Sequence, residues 1–447
     1  MISRGLGSFR GRRVLLLQSP VGPFFFRLAR DLEWAGAQVC KINFNGGDAL
    51  FYPSDAIAFR GTADEWPAFL RRVMIERDID VVLLFGDCRP VHRLARQVVR
   101  QMGVELGVFE EGYVRPDYVT FERWGVNGNS TLPRSPIFYL NRDVDPVPEP
   151  MPVRDTFWWS ALWAIAYYVA AVACTPLYPH YRHHRRLSLV ELFPWLRSFA
   201  RKRSYARSER PVGERLVGDL SGRFFLAPLQ VHNDSQIQEH SGFTVERFIR
   251  YVVRSFASNA EEGAHLVFKH HPMDRGYHDY TVLLATLAEE YGLKGRLHYV
   301  HDLHLPTLLK HARGVVVVNS TVGLSALFHG RPLKTCGAAI YDIPGLTFRG
   351  SLKEFWSDAG EFEMDRELFR RFYRHLIATT QLNGSFYRKL DLPGSHSGLR
   401  WPHKRDRAAP AVPSSDAPDR STELVPADVP ADVSVVSPAG IEPASGS

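Results

Sequence analysis

The feature that most restricts the fold of this chain is a series of short apolar runs without polar alternation. Val81-Val82-Leu83-Leu84-Phe85 and Gly314-Val315-Val316-Val317-Val318-Asn319 are of strand length and apolar almost throughout. A strand of that kind has no face for water, which suits a parallel sheet clad by helices on both sides. The signal recurs at residues 13–18, 37–42 and 104–109, and again at 224–227, 265–269 and 297–300, with helical patterns between the runs. Two such series imply an α/β chain with two facing Rossmann-like domains. Ligands then belong in the cleft between them, at the carboxyl ends of the strands.

The expected units are a first Rossmann-like domain over 1–150, a helical insertion over 151–212 and a second Rossmann-like domain over 213–350. C-terminal helices over 351–402 and a tail over 403–447 complete the chain. The tail is rich in Pro, Ala, Ser and Asp, without apolar periodicity, and is expected to be disordered. No repeat of 20–50 residues is visible.

The insertion opens with Phe157 to Cys174, in which Ser160 is the one plainly polar residue. At 18 residues the stretch reaches the lower limit for a membrane span, but it is crowded with Trp and Tyr, which favour the headgroup region. A span would also place the two halves of one cleft on opposite sides of the bilayer. The expectation is a helix that lies at a membrane interface or inside the protein core.

Composition narrows the function classes. Hydrophobic residues at 45% and charged residues at 23% describe a folded protein. Cys40, Cys88, Cys174 and Cys336 stand far apart with no CxxC pair, which fits a reducing compartment and disfavours a structural zinc site. The N-terminal apolar run, Val14 to Leu17, is too short for a signal-peptide core, so a cytoplasmic location is expected. The net charge of +7 draws on basic runs at Arg182–Arg186 and Arg201–Arg207. Such runs suit nucleic acid, anionic lipid or an acidic sugar equally, or simply a solvated face, and no nucleic-acid-binding module accompanies them.

Four segments place polar residues at the ends of expected strands. Glu110-Glu111-Gly112-Tyr113-Val114-Arg115 sets two carboxylates beside a cation, which suits acid/base chemistry; an acidic pair at a helix start or surface turn is the plainer alternative. In Gln230-Val231-His232-Asn233-Asp234-Ser235, Asp234 suits a nucleophile or base, or else an Asx turn or helix cap. Lys269-His270-His271-Pro272 supplies donors and positive charge for a phosphate. Metal ligation by these histidines is disfavoured, because adjacent side chains seldom face the same way. Asn319-Ser320-Thr321-Val322-Gly323 runs from a strand into a helix and offers hydroxyls and N–H groups to an anion, or serves only as a cap. Neither Asp78-Ile79-Asp80 nor Asp143-Val144-Asp145 sits where a metal–nucleotide site would be. The P-loop and GxGxxG patterns are absent from the sequence, which weighs against an ATPase or a dinucleotide oxidoreductase.

These segments, with Gly22-Pro23-Phe24-Phe25, Ile42-Asn43-Phe44-Asn45-Gly46-Gly47-Asp48 and Gly330-Arg331-Pro332, follow one another over about residues 13–400. In that order they resemble the capsular polysaccharide biosynthesis and export family of Gram-negative bacteria, the Kps-type β-Kdo transferases. The likeness is to the shorter, single-module members that start a lipid-linked oligo-Kdo primer. The resemblance implies a GT-B-like fold with a deep interdomain cleft and transfer of Kdo from CMP-Kdo with retention of configuration. It implies Asp234 as nucleophile and Glu110 or Glu111 as acid/base, since related enzymes carry Glu-Asp-Gly where this chain has Glu110-Glu111-Gly112. Lys269 and His271 would hold the phosphate or the Kdo carboxylate. Asn319, Ser320, Thr321 and the N–H groups ahead of Gly323 would bind the cytidylate. Gly22, Pro23, Asn45 and Arg115 are candidate acceptor or loop positions of the first domain.

The implied acceptor is a lyso-phosphatidylglycerol-type lipid, reached peripherally at the inner-membrane surface beside other capsule biosynthesis and export proteins. No cofactor, metal or nucleic acid is implied. Two other readings stand beside this one: a nucleotide-sugar epimerase of similar fold, and a non-catalytic capsule assembly or export scaffold.

Overall fold

The computed structural model describes residues 5–143, 145–181, 192–232 and 234–402. The expected tail over 403–447, the basic run at Arg182–Arg186 and Asn233 lie outside the described residues.

The first lobe contains β1 (Arg13–Leu16), β2 (Gln38–Asn43), β3 (Ala56–Ala58), β4 (Val81–Phe85), β5 (Glu105–Glu111) and β6 (Tyr118–Arg123). The second contains β7 (Phe224–Pro228), β8 (His265–Lys269), β9 (Leu297–Val300), β10 (Gly314–Val317) and β11 (Leu333–Thr335). A last strand, β12 (Gln381–Asn383), returns to the first lobe. The sheet orders are β12-β6-β5-β4-β1-β2-β3 and β11-β10-β7-β8-β9. Every residue of β4, β7 and β10 is buried, which is why these strands carry no polar alternation. The strand order reverses beside β1 in one lobe and beside β7 in the other, the topology that opens a crevice at the strand ends. Two Rossmann-like lobes thus face each other in a GT-B-like arrangement.

The parallel sheet expected of the first-lobe strands is present over β1 to β5, and two further strands join it antiparallel. β6 pairs antiparallel with β5, and β12 pairs antiparallel with β6. The cause is the tight turn after Glu111, where a Cβ on Gly112 would collide with the Tyr118 carbonyl. A turn this short returns the chain as a hairpin, whereas a parallel partner needs a long crossover.

Two expected units are divided between the lobes. In the insertion, helix Phe157–Ala173 packs on the first lobe through Gly46 and Gly47, while Tyr205 and Glu209 further on dock against His301 of the second. Of residues 351–402, helix Leu352–Asp358 joins the second-lobe core and helix Arg366–Thr380 buries Phe372 and Leu376 there. Phe386, Tyr387, Leu399 and Trp401 instead fill the first-lobe core beside Phe24, Phe109 and Phe121. The crossing chain ties the lobes together.

Candidate active site

In the first lobe the chemistry-bearing residues close β5. Glu110 and Glu111 are its last two residues, and successive strand residues face opposite ways, so the two carboxylates have different surroundings. Burial pushes the Glu110 carboxyl up to about 7. Its own bond from the Glu111 N–H (3.0 Å) and the Arg89 guanidinium pull the other way, against Glu111 and Asp87. Glu111 is also shifted upward by burial, opposed by Arg115 and by the Tyr387 hydroxyl, which donates to it at 2.8 Å. Arg115 is fixed by a bond from Nε to the Gly112 carbonyl (3.1 Å).

Arg89, at the carboxyl end of β4, donates to Gln18 Oε1 (3.0 Å) and to the Ser19 carbonyl (3.1 Å). Gln18 Nε2 donates to the hydroxyls of Tyr181 (2.8 Å) and Tyr167 (3.2 Å). The Tyr167 hydroxyl donates to Asp48 (3.2 Å) and accepts from Asn45 Nδ2 (2.7 Å). A buried polar chain therefore runs from the helix Phe157–Ala173 to the neighbourhood of Glu110. Asn45 is almost fully buried and caps helix Gly46–Phe51 by accepting from the Asp48 N–H. Gly22, at φ 101°, is where the Trp163 ring packs, 3.0 Å from any added Cβ, and Pro23 begins helix Phe24–Trp34. The structure thus gives Gly22, Pro23 and Asn45 scaffold contacts. Arg115 lies close enough to Glu111 of its own lobe and His271 of the other to act on both.

In the second lobe, Gln230 brings two of the sequence segments together. Its Nε2 donates to Asp234 Oδ2 (3.0 Å) and to Asn319 Oδ1 (3.1 Å), and its buried Oε1 has no partner among the described residues. His232 is held by Asp274, through its N–H (2.7 Å) and its Nδ1 (2.6 Å). The adjacent histidines part company as expected. His270 turns inward to the Tyr299 hydroxyl (2.6 Å), and burial drives it down to about 3. His271 is close enough to Arg115 of the first lobe to feel its charge, and burial takes it down to about 4. Its Nδ1 accepts from the Met273 N–H (3.2 Å), so the neutral ring carries its proton on Nε2 and is a donor there. Lys269 Nζ donates to the His301 carbonyl at 3.0 Å.

The anion cradle expected ahead of Gly323 is only partly present. The N–H groups of Val322, Gly323 and Leu324 already donate to Ser320 Oγ (3.2 Å), the Ser320 carbonyl (3.0 Å) and Thr321 (3.0 Å). Gly323 is required by packing, since a Cβ there would collide with the Tyr341 hydroxyl that donates to Ser320. The hydroxyls of Ser320 and Thr321 and the Asn319 amide are what this corner can offer a ligand.

The lobes meet beside these groups. Arg93 pairs with Glu239 (2.6 Å), and His240 lies against Gly128 and 3.5 Å from the Cys88 sulfur. Glu239 and His240 end the short helix Ser235–His240 that starts next to Asp234, and Cys88 feels both Glu110 and Glu239. Sequence reasoning missed Arg89, Gln18, Tyr387 and the bridging role of Gln230. Arg89 was within reach, because Gly86-Asp87-Cys88-Arg89 directly follows the strand at 81–85.

Residues 80–387 match the family described as capsule polysaccharide biosynthesis protein. The chain is 42% identical over 380 residues to the capsule polysaccharide export protein KpsS of Escherichia coli, covering 84% of this chain and 97% of that one. It is 40% identical over 394 residues to the capsule polysaccharide modification protein LipB of Neisseria meningitidis serogroup A, covering 86% and 94%. Among solved structures, the β-Kdo 2,4 transferase KpsC of Thermosulfurimonas dismutans aligns with a TM-score of 0.39 at 13% identity, covering 81% of this chain and 89% of that one. By the family match and by identity along most of its length, the chain belongs to the capsule polysaccharide biosynthesis protein family.

Proposed function

We propose that the protein is a retaining glycosyltransferase that moves Kdo from CMP-Kdo to a lyso-phosphatidylglycerol-type lipid at the inner-membrane surface. The observation that carries this reading is that each lobe carries a candidate carboxylate at a strand end, Glu110 closing β5 and Asp234 following β7. Asp234 is oriented by an amide donor from Gln230, and Glu110 is enclosed and pushed up to about 7. A carboxyl raised toward neutrality suits the acid/base role and leaves that of nucleophile to the other carboxylate.

In the first step an Asp234 oxygen attacks the anomeric carbon while the bond to the CMP phosphate breaks, its electron pair leaving with CMP. In the second, the Glu110 carboxylate takes the proton of the acceptor hydroxyl as that oxygen displaces Asp234. Two inversions give net retention. His271, neutral with its donor at Nε2, and the Ser320 and Thr321 hydroxyls would bind the donor's anionic groups as hydrogen-bond donors rather than as cations. Arg115, between Glu111 and His271, supplies positive charge for the Kdo carboxylate or the phosphate.

The test is transfer from in situ-generated CMP-Kdo to a fluorescent lyso-phosphatidylglycerol analogue. Wild type should give a product one Kdo heavier, and Asp234→Ala should give none while remaining folded. Folded wild type that makes no product from verified donor would remove the reading in favour of another nucleotide sugar or a scaffold.

A further inference from the structure

Helix Phe157–Ala173 has two faces with different fates. Its inner face, Phe157, Ser160, Ala161, Ala164, Tyr167 and Ala171, is buried against the first lobe. There Gly47 admits the Tyr167 ring, and the Trp163 indole donates to the Tyr387 carbonyl at 3.2 Å. Its outer face is Trp158, Leu162, Ile165, Val169 and Val172, and each of these side chains is exposed, Trp158 at 58% and Val169 at 59%. At about 100° per residue these five fall within an arc of roughly 80°. Trp159 flanks the stripe, and Leu177 extends the exposed apolar surface just beyond the helix. A soluble monomer rarely leaves so continuous a patch in water.

We propose that this outer face is an in-plane docking surface for a lipid bilayer, holding the first-lobe side of the cleft at the membrane where a lipid-borne acceptor lies. The proposal deepens the functional reading above and rests on its lipid acceptor. Three observations select a bilayer over a protein partner. The helix carries no charged residue, whereas a helix–helix seam of this spacing is normally bordered by charged pairs that fix its partner and register. It carries three tryptophans and two tyrosines, the side chains that settle at the headgroup level. From Thr156 to Val190 the sequence has no Asp or Glu but three Arg and three His, a balance that complements anionic headgroups. Among the described residues no helix is long and apolar enough to cross a membrane, so this one lies along the surface.

The inner face explains how docking would serve catalysis. Tyr167 reaches Arg89 through Gln18, and Tyr387, tied to Trp163 through its carbonyl, donates to Glu111. The membrane-facing helix and the cleft carboxylates are therefore held in one fixed geometry.

The test compares wild type with the triple variant Trp158→Gln, Leu162→Gln, Val169→Gln, as full chains. The readout is flotation with phosphatidylcholine/phosphatidylglycerol vesicles, with matched thermal unfolding as the check on folding. Wild type should float. The variant's vesicle-bound fraction should fall by about tenfold or more, as expected when three apolar side chains leave the acyl boundary. Transfer to vesicle-embedded lyso-phosphatidylglycerol should fall with it, while transfer to a short-chain, water-soluble analogue stays at the wild-type rate. Unchanged vesicle binding in the variant would overturn the proposal. So would a wild-type dimer that becomes monomeric in the variant without change in lipid binding. If wild type floats and the variant does not, yet neither transfers Kdo to the soluble analogue, docking stands and the transferase reading falls.

Discussion

The two lobes place polar groups at their strand ends by opposite means. In the first, carboxylates are enclosed beside too little positive charge, and burial moves Glu110 and Glu111 upward. In the second, imidazoles are enclosed, His271 beside Lys269, Arg115 and Arg275, and burial moves His270 and His271 downward, so that both are neutral near pH 7. Desolvation disfavours the charged form in each case, and the residue type decides the direction. The first lobe is thereby left with a group that exchanges a proton near neutrality, and the second with neutral imidazoles. In the proposed reaction this contrast would divide proton transfer, on the first lobe, from donor binding and nucleophilic attack, on the second.

The most severe break in that division is Asp234→Ala, which should lower kcat on the order of a thousandfold or more with the fold retained, read by transfer rate and circular dichroism. Glu110→Gln should cost about a hundredfold or more in kcat. It should also flatten the pH profile, since the wild-type rate should rise with pH as Glu110 ionises through about 7. Stability should move the other way. A carboxyl whose folded value lies above its unfolded one costs stability once pH exceeds the unfolded value, and the cost grows up to the folded value. Glu110→Gln should therefore stabilise the protein by on the order of 3 kcal/mol at pH 8 and by nothing below about pH 4, measured by denaturant unfolding at both pH values. A variant that lost activity without that pH-dependent gain would place the proton-exchanging group elsewhere.

Gln230→Ala sharpens the second-lobe half of the comparison. It frees Asp234 and Asn319 from their shared amide, and kcat should fall about tenfold through misorientation, with little change in unfolding midpoint. Smallest in catalytic terms is Tyr167→Phe. It removes the hydroxyl that links Asp48, Asn45 and Gln18, and should cost about 1–3 kcal/mol of stability while leaving transfer to a soluble acceptor within severalfold.

Much of the second lobe was legible in the sequence because its strands are continuous apolar runs with polar residues at their ends, as at Phe224–Pro228 and Gly314–Val317. The first lobe was legible in β1, β2, β4 and β5, but not in β3, a three-residue edge strand without a buried residue, nor beyond β5. Strand β6 reads Tyr-Val-Thr-Phe-Glu-Arg, a pattern without a continuous apolar signal, and its Thr120 and Glu122 are buried by bonds that only the fold supplies. Strand β12 has three residues and is a strand only because β6 offers an edge. Of the site, the residues on strand ends could be named from position, but their partners could not. Tyr387 meets Glu111 across 276 positions and Tyr167 meets Gln18 across 149. The sequence also left Phe157 to Cys174 between interface and core, and the structure divides it: one face is core, the other is exposed.

Retention by double displacement requires a covalent Kdo–enzyme intermediate. Wild-type protein incubated with CMP-Kdo and no acceptor, then digested and mass-analysed, should carry one Kdo on the peptide containing Asp234. The Asp234→Ala protein should carry none. An adduct on a different residue, or transfer giving an α-linked product with no adduct at all, would contradict this mechanism.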